Sequence, residues 1–152
     1  MTTTEMQNMT VQVYQVFIKA TPEQIWEAIT TPEFTKKYFH GTRANYELRP
    51  GGAFRNLSGE SEDVLVEGEV LEVDPPRKLV QTWRFLYDPE LAAEAPQRLT
   101  WEIEEGEGGV AKLTVVHELE EAPKTAAHVA SGWSFILSGL KTLLETGEPL
   151  AG

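Results

Sequence analysis

The sequence predicts an α+β fold in which a curved antiparallel β-sheet wraps around a long C-terminal α-helix. Three observations carry that prediction. A β-rich segment at 11–19 is followed at once by two helix-start signals, residues 43–119 alternate apolar and polar side chains between turn sequences, and residues 124–146 carry an apolar stripe at helical spacing.

In the first segment Tyr14, Val16 and Ile18 share one face and Val11, Val13 and Phe17 the other, the pattern of a strand with apolar residues on both faces. Thr21-Pro22-Glu23-Gln24 starts a helix. Thr21 is placed to cap it, Pro22 suits the first helical position because its missing N–H has no partner to lose, and Gln24 completes a capping box. Ile25, Trp26 and Ile29 then face inward. Thr31-Pro32-Glu33 repeats the signal, predicting a second short helix over 32–39.

Arg49-Pro50-Gly51-Gly52 is a turn by composition, and a strand follows at 53–57. Over 64–73 the parity of apolar residues slips between Val64/Val66 and Leu71/Val73, which predicts a bulge at Gly68. After the turn Asp74-Pro75-Pro76-Arg77, Leu79, Gln81, Trp83 and Phe85 form one face of a strand. Leu99, Trp101 and Ile103 alternate with Thr100, Glu102 and Glu104, and Gly106-Glu107-Gly108-Gly109 joins that strand to one carrying Ala111, Leu113, Val115, His117 and Leu119.

The final helix, bounded by Pro123 and Gly147, has Val129, Trp133, Ile136, Leu137, Leu140, Leu143 and Leu144 on its stripe. At about 1.5 Å per residue it would run about 34 Å. Gly132 and Gly139 each cost about 1 kcal/mol of helix propensity relative to Ala, which predicts a close approach of this helix to the sheet or to a ligand. Weak order is expected at 1–9, 58–63, 88–97 and 148–152, leaving 10–147 as a single domain between an N-terminal and a C-terminal tail.

Composition narrows the function. The chain has 152 residues, no cysteine, and 13 Lys+Arg against 24 Asp+Glu, for a formal charge of −11. Disulfides, thiolate metal sites and cysteine nucleophiles are excluded, and the charge argues against a nucleic-acid partner. The first ten residues lack a secretory signal and the longest uncharged run falls short of a membrane span, so a cytoplasmic domain without stable membrane insertion is expected, as monomer or homodimer. His40, His117 and His128 match no metal-ligand spacing, and no phosphate loop, dinucleotide fingerprint or nucleophile elbow occurs; neither metal nor cofactor is expected.

Four segments carry a family resemblance. Ala20-Thr21-Pro22-Glu23-Gln24-Ile25-Trp26, Arg49-Pro50-Gly51-Gly52-Ala53-Phe54-Arg55, Glu72-Val73-Asp74-Pro75-Pro76-Arg77-Lys78-Leu79, and Gly132-Trp133 with Leu140-Lys141 and Leu144-Glu145 occur in an order that resembles the START-like (SRPBCC) superfamily. More narrowly the chain is similar to homologues of the C-terminal domain of the heat-shock protein 90 ATPase activator, over about 11–147. The resemblance implies a helix-grip fold with an apolar cavity between sheet and long helix. It also implies a small apolar or amphipathic ligand, since relatives include lipid carriers, hormone receptors and polyketide aromatase/cyclases.

On that reading the candidate ligand-binding residues are Trp83, Phe85, Trp101 and Ile103 on strand faces, Trp133 and Leu137 on the helix, and Phe39 and Phe54 near the expected mouth. His117 and Gln81 are candidate polar contacts because each is a polar residue on an apolar strand face, where it needs a partner. No catalytic residue is assigned. Two alternatives stand beside ligand binding: a cyclase/aromatase- or hydrolase-like enzyme using the same pocket with His117 as acid or base, and a chaperone- or regulator-interacting module. Arg43, Arg55 and Arg84 are read first as salt-bridge partners of the many carboxylates.

Overall fold

The computed structural model describes residues 11–130 and 132–150. The expected N-terminal tail at 1–9 and the end of the C-terminal one lie outside them. Among the described residues the chain forms β1 (Val11–Ile18), α1 (Pro22–Thr30), α2 (Pro32–Tyr38), β2 (Arg43–Tyr46), β3 (Ala53–Leu57), β4 (Val64–Asp74), β5 (Lys78–Phe85), α3 (Pro89–Ala92), β6 (Gln97–Glu105), β7 (Ala111–Glu118), α4 (Pro123–Val129) and α5 (Gly132–Thr146). The strands make one antiparallel, curved sheet in the order β1-β7-β6-β5-β4-β3-β2. The α+β helix-grip architecture is therefore the one the sequence predicts.

Register aligns the core in rows. Leu79, Trp101 and Val115 are neighbours across β5, β6 and β7, as are Gln81, Leu99 and His117, and every one of these side chains is buried. The α1 cap forms as expected: Thr21 Oγ1 accepts from Gln24 N at 3.1 Å while Gln24 Oε1 accepts from Thr21 N at 2.9 Å.

Three local expectations are corrected. The first concerns β4. Its ladder to β5 lapses at Gly68 and Glu69, where Thr82 Oγ1 accepts from Glu69 N at 2.8 Å, but the register shift falls between Val70 and Glu72, so Leu71 is the extra residue. A second shift, between Asn56 and Leu57 of β3, leaves Leu65 unpaired on β4. Pattern alone gave no sign of it.

The second correction is the C-terminal helix, which is two helices. Gln12 Nε2 donates to Ala126 O at 2.8 Å and Tyr14 Oη to Ala130 O at 2.9 Å, so side chains of β1 satisfy carbonyls at the end of α4. At the other end of β1, Lys141 Nζ of α5 donates to Phe17 O at 2.7 Å. The second glycine, Gly139, does serve a close approach, but to α2 rather than to the sheet: a Cβ there would lie 3.4 Å from Tyr38 Cβ.

The third correction concerns 88–97, which forms the helical turn α3 and supplies a cap in trans. Ala122, at the N-cap of α4, makes no capping bond of its own, and the Glu94 carboxylate accepts from Lys124 N, Thr125 N and Thr125 Oγ1 at 2.8–2.9 Å. Burial works against its ionisation, but these hydrogen bonds outweigh it and hold the carboxyl below the usual range. Glu94→Ala is expected to cost about 1–2 kcal/mol, as loss of a charged cap does, and to speed amide hydrogen exchange in α4 before any other helix.

Candidate ligand cavity

A cavity of about 440 Å³ opens between the β3–β5 part of the sheet, the end of α2 and the junction of α4 with α5. Its walls come from Asn56, Leu65, Val66, Trp83 and Phe85 on the strands, Phe39, His40 and Thr42 after α2, Tyr87 after β5, and His128, Val129, Gly132, Trp133 and Ile136 on the two C-terminal helices. The volume falls within the range of small-molecule sites, and no Lys, Arg, Asp or Glu contributes to the lining.

Local backbone features shape this wall. Leu65 and Val66 are consecutive yet both face the cavity, which the extra residue on β4 permits and a regular strand forbids. Gly68, next on the inward face of β4, has no side chain, so Phe54 and Trp83 stack across it with ring centroids 5.4 Å apart and planes 24° apart. Trp83 continues into Phe39, Phe85 and Trp133, with centroids at 6.1, 5.8 and 5.7 Å. The floor of the cavity is thus a block of interlocked rings.

The mouth is aromatic and polar. Tyr87 Oη and His128 Nε2 are hydrogen-bonded from opposite sides, and the His128 ring meets Phe85 edge-on at 5.1 Å. His40 holds a left-handed backbone conformation, φ 53°, which is uncommon outside glycine, and stacks on Phe135 with centroids 5.8 Å apart. Gly132 opens α5 at the rim, and a Cβ added to it would meet nothing within 4 Å.

Of the residues singled out in sequence, Phe39, Trp83, Phe85 and Trp133 line the cavity. The others are placed elsewhere. Trp101, Ile103 and Leu137 sit in the closed core, and Phe54 is beneath Trp83 rather than at the mouth. Gln81 is fully buried, its Oε1 accepting from Tyr46 Oη at 2.8 Å and Trp101 Nε1 at 3.0 Å.

His117 is fully buried as well, and Trp133 Nε1 donates to its Nδ1 at 3.1 Å. Burial pushes the imidazole down to about 3, so it is neutral at pH 7 with its proton on Nε2, an atom that has no protein partner. It is a weak base behind the cavity wall. Arg84 pairs with Glu67 at 2.7 Å and Arg43 with Glu62 at 3.4 Å, consistent with structural roles on the outer surface.

Ten lining residues lie outside the candidate set: His40, Thr42, Asn56, Leu65, Val66, Tyr87, His128, Val129, Gly132 and Ile136. One signal was present: Asn56 shares Phe54's parity on β3, a polar residue on an apolar face, and it is buried. Its Oδ1 and Trp83 Nε1 are both without a hydrogen-bond partner. No cluster of three potential metal ligands occurs among the described residues, and no described helix is long and apolar enough to cross a membrane.

Solved structures share this architecture. Protein MLL2253 from Mesorhizobium loti is 22% identical with a TM-score of 0.72, the match covering 89% of this chain and 96% of that one. The Aha1 protein of Colwellia psychrerythraea, solved in solution as a dimer, is 20% identical with a TM-score of 0.70 over 90% and 97% of the two chains. PFC0360w from Plasmodium falciparum, described as an HSP90 activator, is 18% identical with a TM-score of 0.66 over 92% and 98%. Identities this low establish the fold alone, and no curated protein matches the sequence. The family model described as "Activator of Hsp90 ATPase homolog 1-like protein" matches residues 19–145, most of the chain. With START-like architecture and that match together, the chain belongs to the Activator of Hsp90 ATPase homolog 1-like family.

Proposed function

We propose that this protein binds a small apolar or amphipathic molecule in the cavity between the sheet and the α4–α5 junction. The observation that carries the reading is the cavity itself: about 440 Å³, walled mainly by aromatic and aliphatic side chains, in a core that is otherwise closed. Apolar ligands enter such a space because surface removed from water contributes about 25 cal/mol per Å². The lining is mainly apolar and carries no lysine, arginine or carboxylate, which supports binding of an uncharged molecule.

Gly132 provides a test that leaves the fold intact. A Cβ there meets nothing within 4 Å, and replacing a glycine that does not use the left-handed region removes chain entropy from the unfolded state, about 0.4–1 kcal/mol. Gly132→Leu is expected to keep or raise the unfolding midpoint while weakening uptake of the neutral fluorescent probe N-phenyl-1-naphthylamine at least tenfold. Equal probe binding by the two proteins would remove the cavity as the site.

Family membership and the HSP90 activator among the structural neighbours support a second reading, a module that regulates a chaperone. Its test is whether the chain alters ATP hydrolysis by an HSP90 from its own source. The dimeric C. psychrerythraea neighbour favours a homodimer over a monomer, which sedimentation velocity would decide.

A further inference from the structure

We infer that the ligand lies with its apolar body against the aromatic floor and holds an uncharged oxygen group, a hydroxyl or a carbonyl, on the Tyr87 hydroxyl that His128 orients. This inference rests on the cavity being a ligand site and names the group that site recognises. Tyr87 and His128 both line the cavity, both are exposed, and Tyr87 Oη and His128 Nε2 are hydrogen-bonded to each other. The two polar atoms therefore stand side by side at the rim, where solvent and the end of a ligand can reach them.

Other polar side chains of the lining are less free to act. Thr42 is buried with its Oγ1 donating to Phe39 O, and Asn56 is buried. His40 is exposed, but its ring stacks on Phe135, which is not part of the lining. Tyr87 keeps capacity to spare. A phenol hydroxyl has one proton to donate and two lone pairs, and the bond to His128 uses one of these. Where His128 Nε2–H donates to Tyr87 Oη, the Tyr87 O–H is free to donate to a carbonyl. Where Tyr87 instead donates to an unprotonated Nε2, its oxygen accepts from a hydroxyl. The His128 tautomer thus fits the pair to either group.

The closed end of the cavity sets the orientation. Trp83 and Trp133 are each 2% exposed and pack on one another and on Phe39, with Phe85 edge-on to Trp83. An oxygen pressed against these carbon surfaces would shed its water without replacement, whereas at the rim it exchanges water for Tyr87. Charge at the rim selects against an acid. No Lys or Arg contributes to the lining, and Asp88 follows Tyr87 in sequence. Burial, and then the Asp88 carboxylate, push the Tyr87 hydroxyl up, so it keeps its proton at neutral pH. The same carboxylate repels an anionic ligand end.

The test measures competition with N-phenyl-1-naphthylamine by 2-acetylnaphthalene, 2-naphthalenemethanol and 2-ethylnaphthalene on the intact chain and its variants. The compounds differ in their own hydration, so the quantity read is the affinity of each oxygen compound relative to the hydrocarbon, compared between proteins. In Tyr87→Phe both ratios are expected to fall about fivefold, the worth of one hydrogen bond, while 2-ethylnaphthalene still binds and shows that the fold survives. His128→Leu should lower them about twofold, and His128→Gln, which can still bond Tyr87, should keep them. In the infrared, the carbonyl stretch of bound 2-acetylnaphthalene should lie lower in the native protein than in Tyr87→Phe, a signature of the hydrogen bond that a purely structural role would not produce. Ratios unchanged in Tyr87→Phe would overturn this inference and leave the cavity reading standing. Equal loss of all three compounds in that variant would overturn it too, since Tyr87 would then serve the fold and not the ligand. Ratios unchanged in His128→Leu would remove His128 from it. Failure of the probe and of all three compounds to bind the native protein would overturn both readings.

Discussion

Gly68→Val is expected to destabilise the protein by about 2–4 kcal/mol, the combined cost of overpacking and of a displaced aromatic pair. A Cβ at this position would collide with the Thr82 carbonyl oxygen, a backbone atom that cannot swing aside, and would lie 3.2 Å from the Phe54 ring. Two further methyl groups would occupy the space in which Phe54 and Trp83 stack. That stack is not isolated: Tyr46 lies on Phe54 with centroids 4.7 Å apart, and Trp83 abuts Trp133 of α5. Displacing it loosens the sheet and the cavity floor together. Since domains are stable by about 5–15 kcal/mol in total, the variant should show a large drop in urea midpoint at a similar slope. Gly68→Ala should fall between, and an alanine variant within 0.5 kcal/mol of the native protein would show that β4 yields more easily than its contacts indicate.

Gly68 also shows how the sequence can be right about an element and wrong about its cause. The broken parity of β4 is visible in Val64, Val66, Leu71 and Val73, and a glycine within the break invites the assignment of a bulge. In the fold the extra residue is Leu71, while Gly68 is where the rings of neighbouring strands meet. Patterning reports which face a residue takes; it does not report what must be missing from that face. The same limit applies to Leu65 and Val66, whose joint presence in the cavity depends on a register shift with no local signature.

Alternation, turns and caps are short-range signals, and they placed the strands, the first two helices and the buried faces of Trp83, Phe85, Trp101 and His117. What was illegible depends on distant partners. Glu94 caps α4 from 31 residues away in sequence at Thr125, and Tyr14 reaches the end of α4 from β1. The Tyr14 contact lies where α4 ends, before α5 begins, a division that helical spacing presents as one continuous helix. That division matters for the site, because His128, Val129, Gly132 and Trp133 flank it and all four line the cavity. A cavity is the volume that side chains fail to fill, and no list of inward residues contains that information. Four of the ten candidates, Phe39, Trp83, Phe85 and Trp133, fall on it, while rim residues such as Tyr87 and His128 were indistinguishable in sequence from ordinary surface.

His117 should make the protein lose stability as pH falls through the range in which a free histidine acquires a proton. Its ring is enclosed by Trp83 and Trp133, with centroids at 6.2 and 6.0 Å, and its Nδ1 lone pair is committed to the Trp133 indole N–H. Protonation would break that bond and place a charge in the core, and burial accordingly lowers the native pKa to about 3. The unfolded chain binds the proton near pH 6.5, so stability is full above that value and declines below it until the native ring itself titrates. The linkage amounts to about 2 kcal/mol between pH 7 and pH 5. Carboxyls held low in the fold, such as Glu94, act in the same direction but chiefly below pH 5, because their stabilisation is lost only as the unfolded groups near 4.5 begin to protonate. His117→Asn separates the two: its side-chain oxygen can still accept from Trp133, and it does not titrate. Urea unfolding of both proteins at pH 7, 6 and 5 should therefore show a decline in the native chain about 2 kcal/mol steeper than in the variant, whatever their difference at pH 7. Parallel declines would mean that water reaches the Nε2 side of the ring and that His117 is not sealed behind the cavity wall.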